Sequence, residues 1–314
     1  MHIRTNPRLN KLFKPLILFC EWLGVHHPIA LARIRYFARF RKWLHLNNPK
    51  TLNEKILYLC LKTDTSLWTR CADKYAVRSF VEEKGLKDIL IPLIGVWENA
   101  TDIEFDTLPK EFALKATHGS GDIMIVSDKN MVDWQAAVDM FTKDLAHKYG
   151  ALESGHHYMR IQPRMIAEEL IKNDSETEKV SSSLIDYKLW CFNGRCHYIM
   201  TCSNRSIDVD HETLELQLYD RNWKNHPEYM IYNCDHVYGV DVPKPKNFEL
   251  MLEIAEKLAE DFPCVRVDLY NLDGKIYFGE LTFTSYGGLI NYYTKDFQLL
   301  AGNLVDLKMV KTIQ

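Results

Sequence analysis

Two apolar strand pairs constrain this chain more than any other feature: "SLIDYKLWCFNGRCHYIMTCS" about Asn193-Gly194 and "CVRVDLYNLDGKIYFGELTF" about Asp273-Gly274. Asn-Gly and Asp-Gly suit tight hairpin turns, whose central residues adopt positive φ. Each pair therefore demands antiparallel strands. Further strand-like runs are "ILIPLIGVW", "FALKA", "RMIAEELI" and "LELQLYD". Helices are expected from Asn53, as a cap, to about residue 62, over "WTRCADKYAVRSFVEEKG" as far as Gly85, and over 130–149. "NFELMLEIAEKLAEDF" keeps Phe248, Met251, Leu252, Ala255, Leu258, Ala259 and Phe262 on one helical face. Hairpins mixed with helices, without repeated βαβ units, give an α+β class.

With 314 residues, 46% of them hydrophobic and 26% charged, the chain can bury a full core and divide into two domains. Its eight cysteines form no C-x-x-C pair and read as reduced, buried thiols. The net charge of −3 conceals an asymmetry. Residues 1–53 hold ten Lys/Arg and one acid, against 29 and 41 in the remainder. "PLILFCEWLG" is too short to span a bilayer, is interrupted by Glu21 and lacks a cleavage site, so the chain is expected in the cytoplasm. In "IALARIRYFARFRKWLHL" basic and aromatic residues interleave. Such a helix either packs its aromatics on the body, its arginines pairing with the acidic remainder, or lies on an anionic membrane surface. No nucleic-acid module accompanies the patch.

Chemistry-bearing residues concentrate in three places. In "FALKATHGSGD", Lys115 falls on the opposite strand face from Phe112 and Leu114, and His118-Gly119-Ser120-Gly121 can form a concavity of backbone N–H groups that suits phosphate. Taken alone, the stretch favours the plainer reading of an exposed lysine before a hairpin turn. Asp268 and Glu280 lie twelve residues apart across one hairpin, and two carboxylates on neighbouring strands suit Mg²⁺. A two-residue turn without irregularity would put them on opposite faces, so a three-residue loop with Gly274 in a bulge is expected. The third set is Asp186 and Lys188 on one strand, Arg205 after the next, and Lys74 upstream in "ADKY". Cations for phosphates together with carboxylates for metal make the inventory of a nucleoside triphosphate site.

The order of "NPKTLNEKI", "ADKYAVR", "FALKATHGSGD", "MIAEEL", "DYKLWCFNG", "RVDLY" and "YFGELTF" resembles the TupA-like branch of the ATP-grasp superfamily over about residues 45 to 305. The resemblance implies an ATP-grasp fold: a basic helical segment (1–50), a mixed α/β unit (51–111), a lid subdomain (112–171) and a C-terminal subdomain with the metal-binding hairpin (172–314). It implies that Lys74, Lys115 and the loop of His118, Gly119, Ser120 and Gly121 bind ATP phosphates. Glu168, Glu169 and Leu170 would form the hinge that meets adenine and ribose. Asp186 joins the nucleotide-binding set, Lys188 and Arg205 would be the catalytic cations, and Asp268, Glu280 and Thr282 would hold two Mg²⁺ ions, or Mn²⁺. Many ATP-grasp ligases have Glu-x-Asn where this chain has Glu280-Leu281-Thr282, and a hydroxyl is a weaker metal ligand than an amide carbonyl.

The activity that the resemblance implies is that of a ligase joining a carboxylate and an amine through an acyl-phosphate, with ADP and phosphate released, acting on a cell-surface polysaccharide or its precursor. Residues 1–50 could then contact an anionic membrane or a lipid-linked glycan at the inner membrane face. Three rivals remain: a sugar kinase on the same fold, a capsule or O-antigen glycosyltransferase using the D-x-D triplet of Asp208 and Asp210, and a catalytically dead binding module, against which the complete set of cations and carboxylates argues. His156, His157, Tyr158, Arg160 and Tyr286 are candidates for substrate recognition.

Overall fold

The structure, a computed structural model, describes residues 7–121, 123–208, 211–310 and 312. The chain opens with α1 (Pro7–His26) and α2 (Pro28–Phe40), then α3 (Leu52–Lys62), α4 (Ser66–Ala72) and α5 (Val77–Glu83). Strands β1 (Leu93–Trp97), β2 (Phe112–Ala116) and β3 (Ile123–Val126) precede α6 (Trp134–Ala146), the short α7 (His156–Met159) and β4 (Met165–Glu168). The second half runs β5 (Asp186–Phe192), β6 (Arg195–Asp208), β7 (His211–Asp220), β8 (His236–Val237), α8 (Phe248–Ala259), β9 (Cys264–Leu272), β10 (Lys275–Thr282) and α9 (Lys295–Leu304).

Two sheets result. The smaller has the order β1-β4-β2-β3, entirely antiparallel; the larger has β10-β9-β5-β6-β7-β8, antiparallel except for β7 with β8. Phe112, Leu114 and Ala116 of β2 and Met165 and Ala167 of β4 pack with Phe141 of α6 into a compact apolar core. The larger sheet buries Leu189, Val265, Val267 and Leu269 against the apolar face of α8, whose Met251, Leu252, Ala255 and Leu258 all lie inside. Residues 51–111 contribute to both bodies. Leu52, Ile56, Trp68, Val77 and Phe80 join the core of the larger sheet, whereas β1 pairs within the smaller one. All eight cysteines are free, and six are buried.

Three local expectations are corrected. Asn53 does not cap α3; Thr51 does, its hydroxyl accepting from Glu54 N while the Glu54 carboxylate accepts from Thr51 N. That reciprocal arrangement satisfies two helix-end donors. Asn53 lies buried inside the helix, where its side chain donates to Ile290 O at 2.8 Å and accepts from Ile290 N at 3.1 Å, pinning the loop that follows β10. The single helix expected through Gly85 is broken into α4 and α5 at Asp73, whose carboxylate accepts from Tyr75 N. The β9–β10 turn holds only Asp273 and Gly274, both at positive φ (51° and 93°), with Leu272 opposite Lys275. Such a turn keeps strict register, so the irregularity must fall elsewhere. It falls at Gly279, and Glu280 thereby comes opposite Asp268. A Cβ at Gly279 would stand 3.0 Å from Asp268 O, a tight contact that favours glycine at the bulge.

Candidate functional site

The Gly279 bulge and the β5–β9 register together collect charged residues on one sheet face. Lys188 is the Cα partner of Asp268, Glu280 faces Asp268 from the other side, and Thr282 is opposite Arg266. Alternation places Arg266 with Asp268, Asp186 with Lys188 and Thr282 with Glu280 on that face. Val265, Val267 and Leu269 point the other way, into the core.

Asp268 is the centre of the cluster and is almost wholly buried. Arg266 grips it in bidentate fashion, Nε to Oδ1 and Nη2 to Oδ2, both at 2.7 Å, and Lys188 Nζ donates to Oδ2 at 2.6 Å. Burial opposes the charge on Asp268, but Arg266 and then Lys188 hold its carboxyl below the ordinary carboxylate range. Burial likewise opposes the Lys188 ammonium, which Asp186 and Asp268 outweigh, raising its pKa. Arg266 also reaches Glu280 Oε1 (3.3 Å), Thr282 Oγ1 (3.0 Å) and, through Nη1, Ser285 Oγ (2.8 Å). Thr282 Oγ1 donates to Glu280 Oε1 at 2.9 Å. At the start of β5, Asp186 Oδ2 meets Arg205 Nη2 of β6 at 3.3 Å.

Arg266 is a residue that sequence reasoning passes over, because in the sequence it is one more charge in a strand. Its position two residues before Asp268, hence on the same face, is the signal that could have found it.

A second group lies on the smaller sheet. Lys115 and Glu168 project from β2 and β4 on the face opposite Phe112 and Leu114, and Lys115 Nζ meets Glu168 Oε2 at 2.7 Å. Arg78 of α5 holds the other oxygen at 2.9 Å. Arg78 also escapes sequence reasoning, since nothing local marks it among the charges of its helix. The Glu168 carboxylate is thus taken by two cations, while Glu169, the residue after β4, is exposed. Lys74 is tied to the glycine-rich strap: its backbone N–H donates to Thr117 O and its ammonium to Gly119 O. His118 is buried, with Nε2 beside His147 O, whereas Ser120 and Gly121 are exposed.

Replacing Lys115 by Ala leaves Arg78 on Glu168, so the fold should persist. If Lys115 also meets a nucleotide phosphate, nucleotide affinity should fall roughly 10- to 100-fold, the range of one charge-assisted hydrogen bond. Calorimetric titration with ATP, alongside a melting curve, measures both.

The substrate-recognition candidates separate. His156 Nε2 lies 3.0 Å from Gly24 O, and Arg160 donates to Thr65 and Thr69, so both are occupied in packing. Tyr158 is near enough to Glu280 and Arg266 to feel their charges. Tyr286, half-exposed at φ 51°, shares a hydrogen bond of 2.9 Å with His236 Nε2. His157 is fully buried edge-on to Trp68, and neither ring nitrogen has a partner.

Burial, reinforced by Arg160 and His156, pushes His157 down to about 3 from 6.5. Between those values the unfolded chain binds the extra proton, so this contribution is complete above about pH 6.5 and is lost as pH falls toward 3. Stability is expected to drop by up to about 1.4 kcal/mol per pH unit from this group, more steeply than in His157→Gln; urea melts at several pH values test it.

A magnesium ion takes oxygen ligands from few protein carboxylates, completing its shell with water and phosphate. Asp268, Glu280 and Thr282 fit that need, being hard oxygen donors in register on one face. Among the described residues no larger cluster of metal-ligating side chains exists. Of the D-x-D triplet, only the backbone of Asp208 is described, at the end of β6; Asp210 lies outside the described residues.

A family model for the TupA-like ATPgrasp proteins matches residues 54–306. Among solved structures, the chain is similar to D-alanine–D-alanine ligase from Bacillus anthracis complexed with ATP (14% identity, TM-score 0.43, 71% of this chain and 58% of that one). It is also similar to an L-amino acid ligase from Bacillus licheniformis (13%, 0.43, 89% and 59%). A third is phosphoribosylamine–glycine ligase from Thermotoga maritima (12%, 0.42, 70% and 49%). This chain spans between half and three-fifths of the length of these proteins. No curated protein matches it in sequence.

Proposed function

We propose, since this chain belongs to the TupA-like ATP-grasp family, that it is an ATP-dependent carboxylate–amine ligase. The observation that carries the reading is the face shared by Lys188, Arg266, Asp268, Glu280 and Thr282, where cations and hard oxygen donors interleave within hydrogen-bond distance. Such a face suits phosphoryl transfer, which needs positioning and charge stabilisation rather than a protein nucleophile.

In this reading a substrate carboxylate oxygen attacks the γ-phosphorus of ATP, the bond to the β,γ-bridging oxygen breaks, and ADP departs. The acyl-phosphate is then attacked by an amine nitrogen; the C–O bond to phosphate breaks, phosphate leaves and the nitrogen loses a proton. Magnesium, when held by Asp268, Glu280 and Thr282, supplies charge neutralisation for the phosphates. Lys188 and Arg205 bind the transferring group, and Arg266 keeps Asp268 ionised and the carboxylates aligned. Lys74, Lys115 and the 118–121 strap receive the remaining phosphates. Glu169, rather than the clamped Glu168, offers the hinge carboxylate to ribose. The carboxylate or amine belongs to a cell-surface polysaccharide or its precursor, a substrate class that the TupA-like branch suggests.

Product analysis tests this. Acceptor-dependent release of ADP with free phosphate supports a ligase. A phosphorylated acceptor would indicate a kinase, and a requirement for a sugar nucleotide a glycosyltransferase. Either would overturn the proposal.

A further inference from the structure

The amino-terminal helices leave uncovered an apolar surface that the ligase reading does not use. Helix α1 exposes Leu16, Leu18, Phe19 and Trp22, each about half accessible, and the chain after α2 exposes Trp43, whose ring stacks on Phe37 at 4.8 Å. A helix apolar on most of its circumference is ordinarily covered. Yet α1 is secured to the body near its C-terminal end. His156 Nε2 lies 3.0 Å from Gly24 O, Ser154 Oγ donates to Pro28 O, and a Cβ at Gly24 would overlap Ala151 O. The reading in which the aromatics pack inward and the arginines pair with acids holds for Tyr36, which is buried, for Phe40, which packs on it, and in part for Arg35, half-buried near Glu153. It fails elsewhere: Lys14, Arg33, Arg39, Arg41 and Lys42 are exposed, and no ion pair among the described residues engages them.

We infer that α1 and α2 form an interfacial module that seats the protein on a bilayer surface rich in anionic lipid. Two arguments select this occupant. Residues 1–53 carry ten Lys/Arg and one acid, so a second copy docked on the same face would set like charges against one another, whereas anionic headgroups complement them. Tryptophan and phenylalanine beside lysine and arginine suit the headgroup boundary. No described helix is long and apolar enough to cross a membrane, so the module lies on the surface.

The module also adjoins the candidate site. A side chain at Gly287 would stand 3.3 Å from Arg35 Nη1 and 3.1 Å from Glu153 Cγ, in the turn after Glu280 and Thr282. Resting on the ligase reading, this sets the candidate site beside the headgroups, where a lipid-linked substrate would be presented.

Sedimentation with vesicles of phosphatidylcholine, with or without phosphatidylglycerol, tests the membrane module without reference to catalysis. Binding should be at least about tenfold tighter with the anionic lipid and should be suppressed at about 1 M salt. The triple variant Leu16→Glu/Phe19→Glu/Trp22→Glu should lose binding with an unchanged melting temperature, because these residues are exposed. Arg33→Gln/Arg39→Gln/Arg41→Gln should bind about 100-fold more weakly, roughly fivefold per charge. Equal binding to neutral vesicles, no binding at low salt, or wild-type binding by the Arg variant would overturn the inference. So would a stable dimer that the α1 variant dissociates while vesicles are ignored. ADP formation with a soluble acceptor, unaltered in the α1 variant, would separate failure of this module from failure of the ligase.

Discussion

Arg266→Met is expected to cost about 3–5 kcal/mol of folding stability, the penalty for breaking a buried ion pair from one side. The Arg266 side chain is only 8% exposed and makes five hydrogen bonds, to Asp268 twice, Glu280, Thr282 and Ser285. Methionine fills part of the volume but leaves Asp268 with Lys188 alone. With Arg266 gone, the carboxyl should titrate closer to its ordinary range. In the wild type its depressed pKa contributes stability that is present above the unfolded value of 3.8 and is lost as pH falls through the folded one. The variant should therefore show a weaker acid transition from this group. Urea melts at neutral and acid pH measure both effects. A variant as stable as the wild type would show that Lys188 alone suffices for Asp268.

Glu280→Gln should behave in the opposite manner: little change in stability and a large loss of activity. The Glu280 side chain is 42% exposed, and an amide oxygen can still accept from Arg266 and Thr282. As a proposed metal ligand, however, it loses its charge. Turnover should fall about 10²- to 10³-fold, as when one preorganised electrostatic contact is removed, and the magnesium concentration for half-maximal rate should rise. ADP release measured across a magnesium titration decides the matter. Full turnover at unchanged magnesium dependence would remove Glu280 from the metal site.

These two variants separate roles that one face combines. Arg266 and Lys188 hold Asp268 within the protein, whereas Glu280 stands partly in solvent. The distinction matters for how a magnesium ion would enter. Both Asp268 oxygens already accept hydrogen bonds from cations, so Glu280 is the more open of the two proposed carboxylate ligands.

Much of this arrangement is legible in the residues themselves because it rests on local chemistry. Asn193-Gly194 and Asp273-Gly274 adopt the positive φ angles their turns require. The period of α8 directs Met251, Leu252, Ala255 and Leu258 inward, and alternation along β2 separates Lys115 from Phe112 and Leu114. The motif order indicates the ATP-grasp family, to which residues 54–306 belong. Residue types, face assignments and hairpins depend on bonds between near neighbours, which operate in the sequence as written.

Only the tertiary structure decided what depends on partners distant in sequence. The bulge falls at Gly279, where a Cβ would stand 3.0 Å from Asp268 O, a crowding invisible within "YFGEL". Glu168, one of three residues expected to meet adenine and ribose, is clamped by Lys115 and Arg78 from 53 and 90 residues away. Asn53, in sequence a cap, becomes on burial a bridge to Ile290. For Glu168 and Asn53 a polar group leaving water must find a partner, and which partner stands within reach is settled by packing.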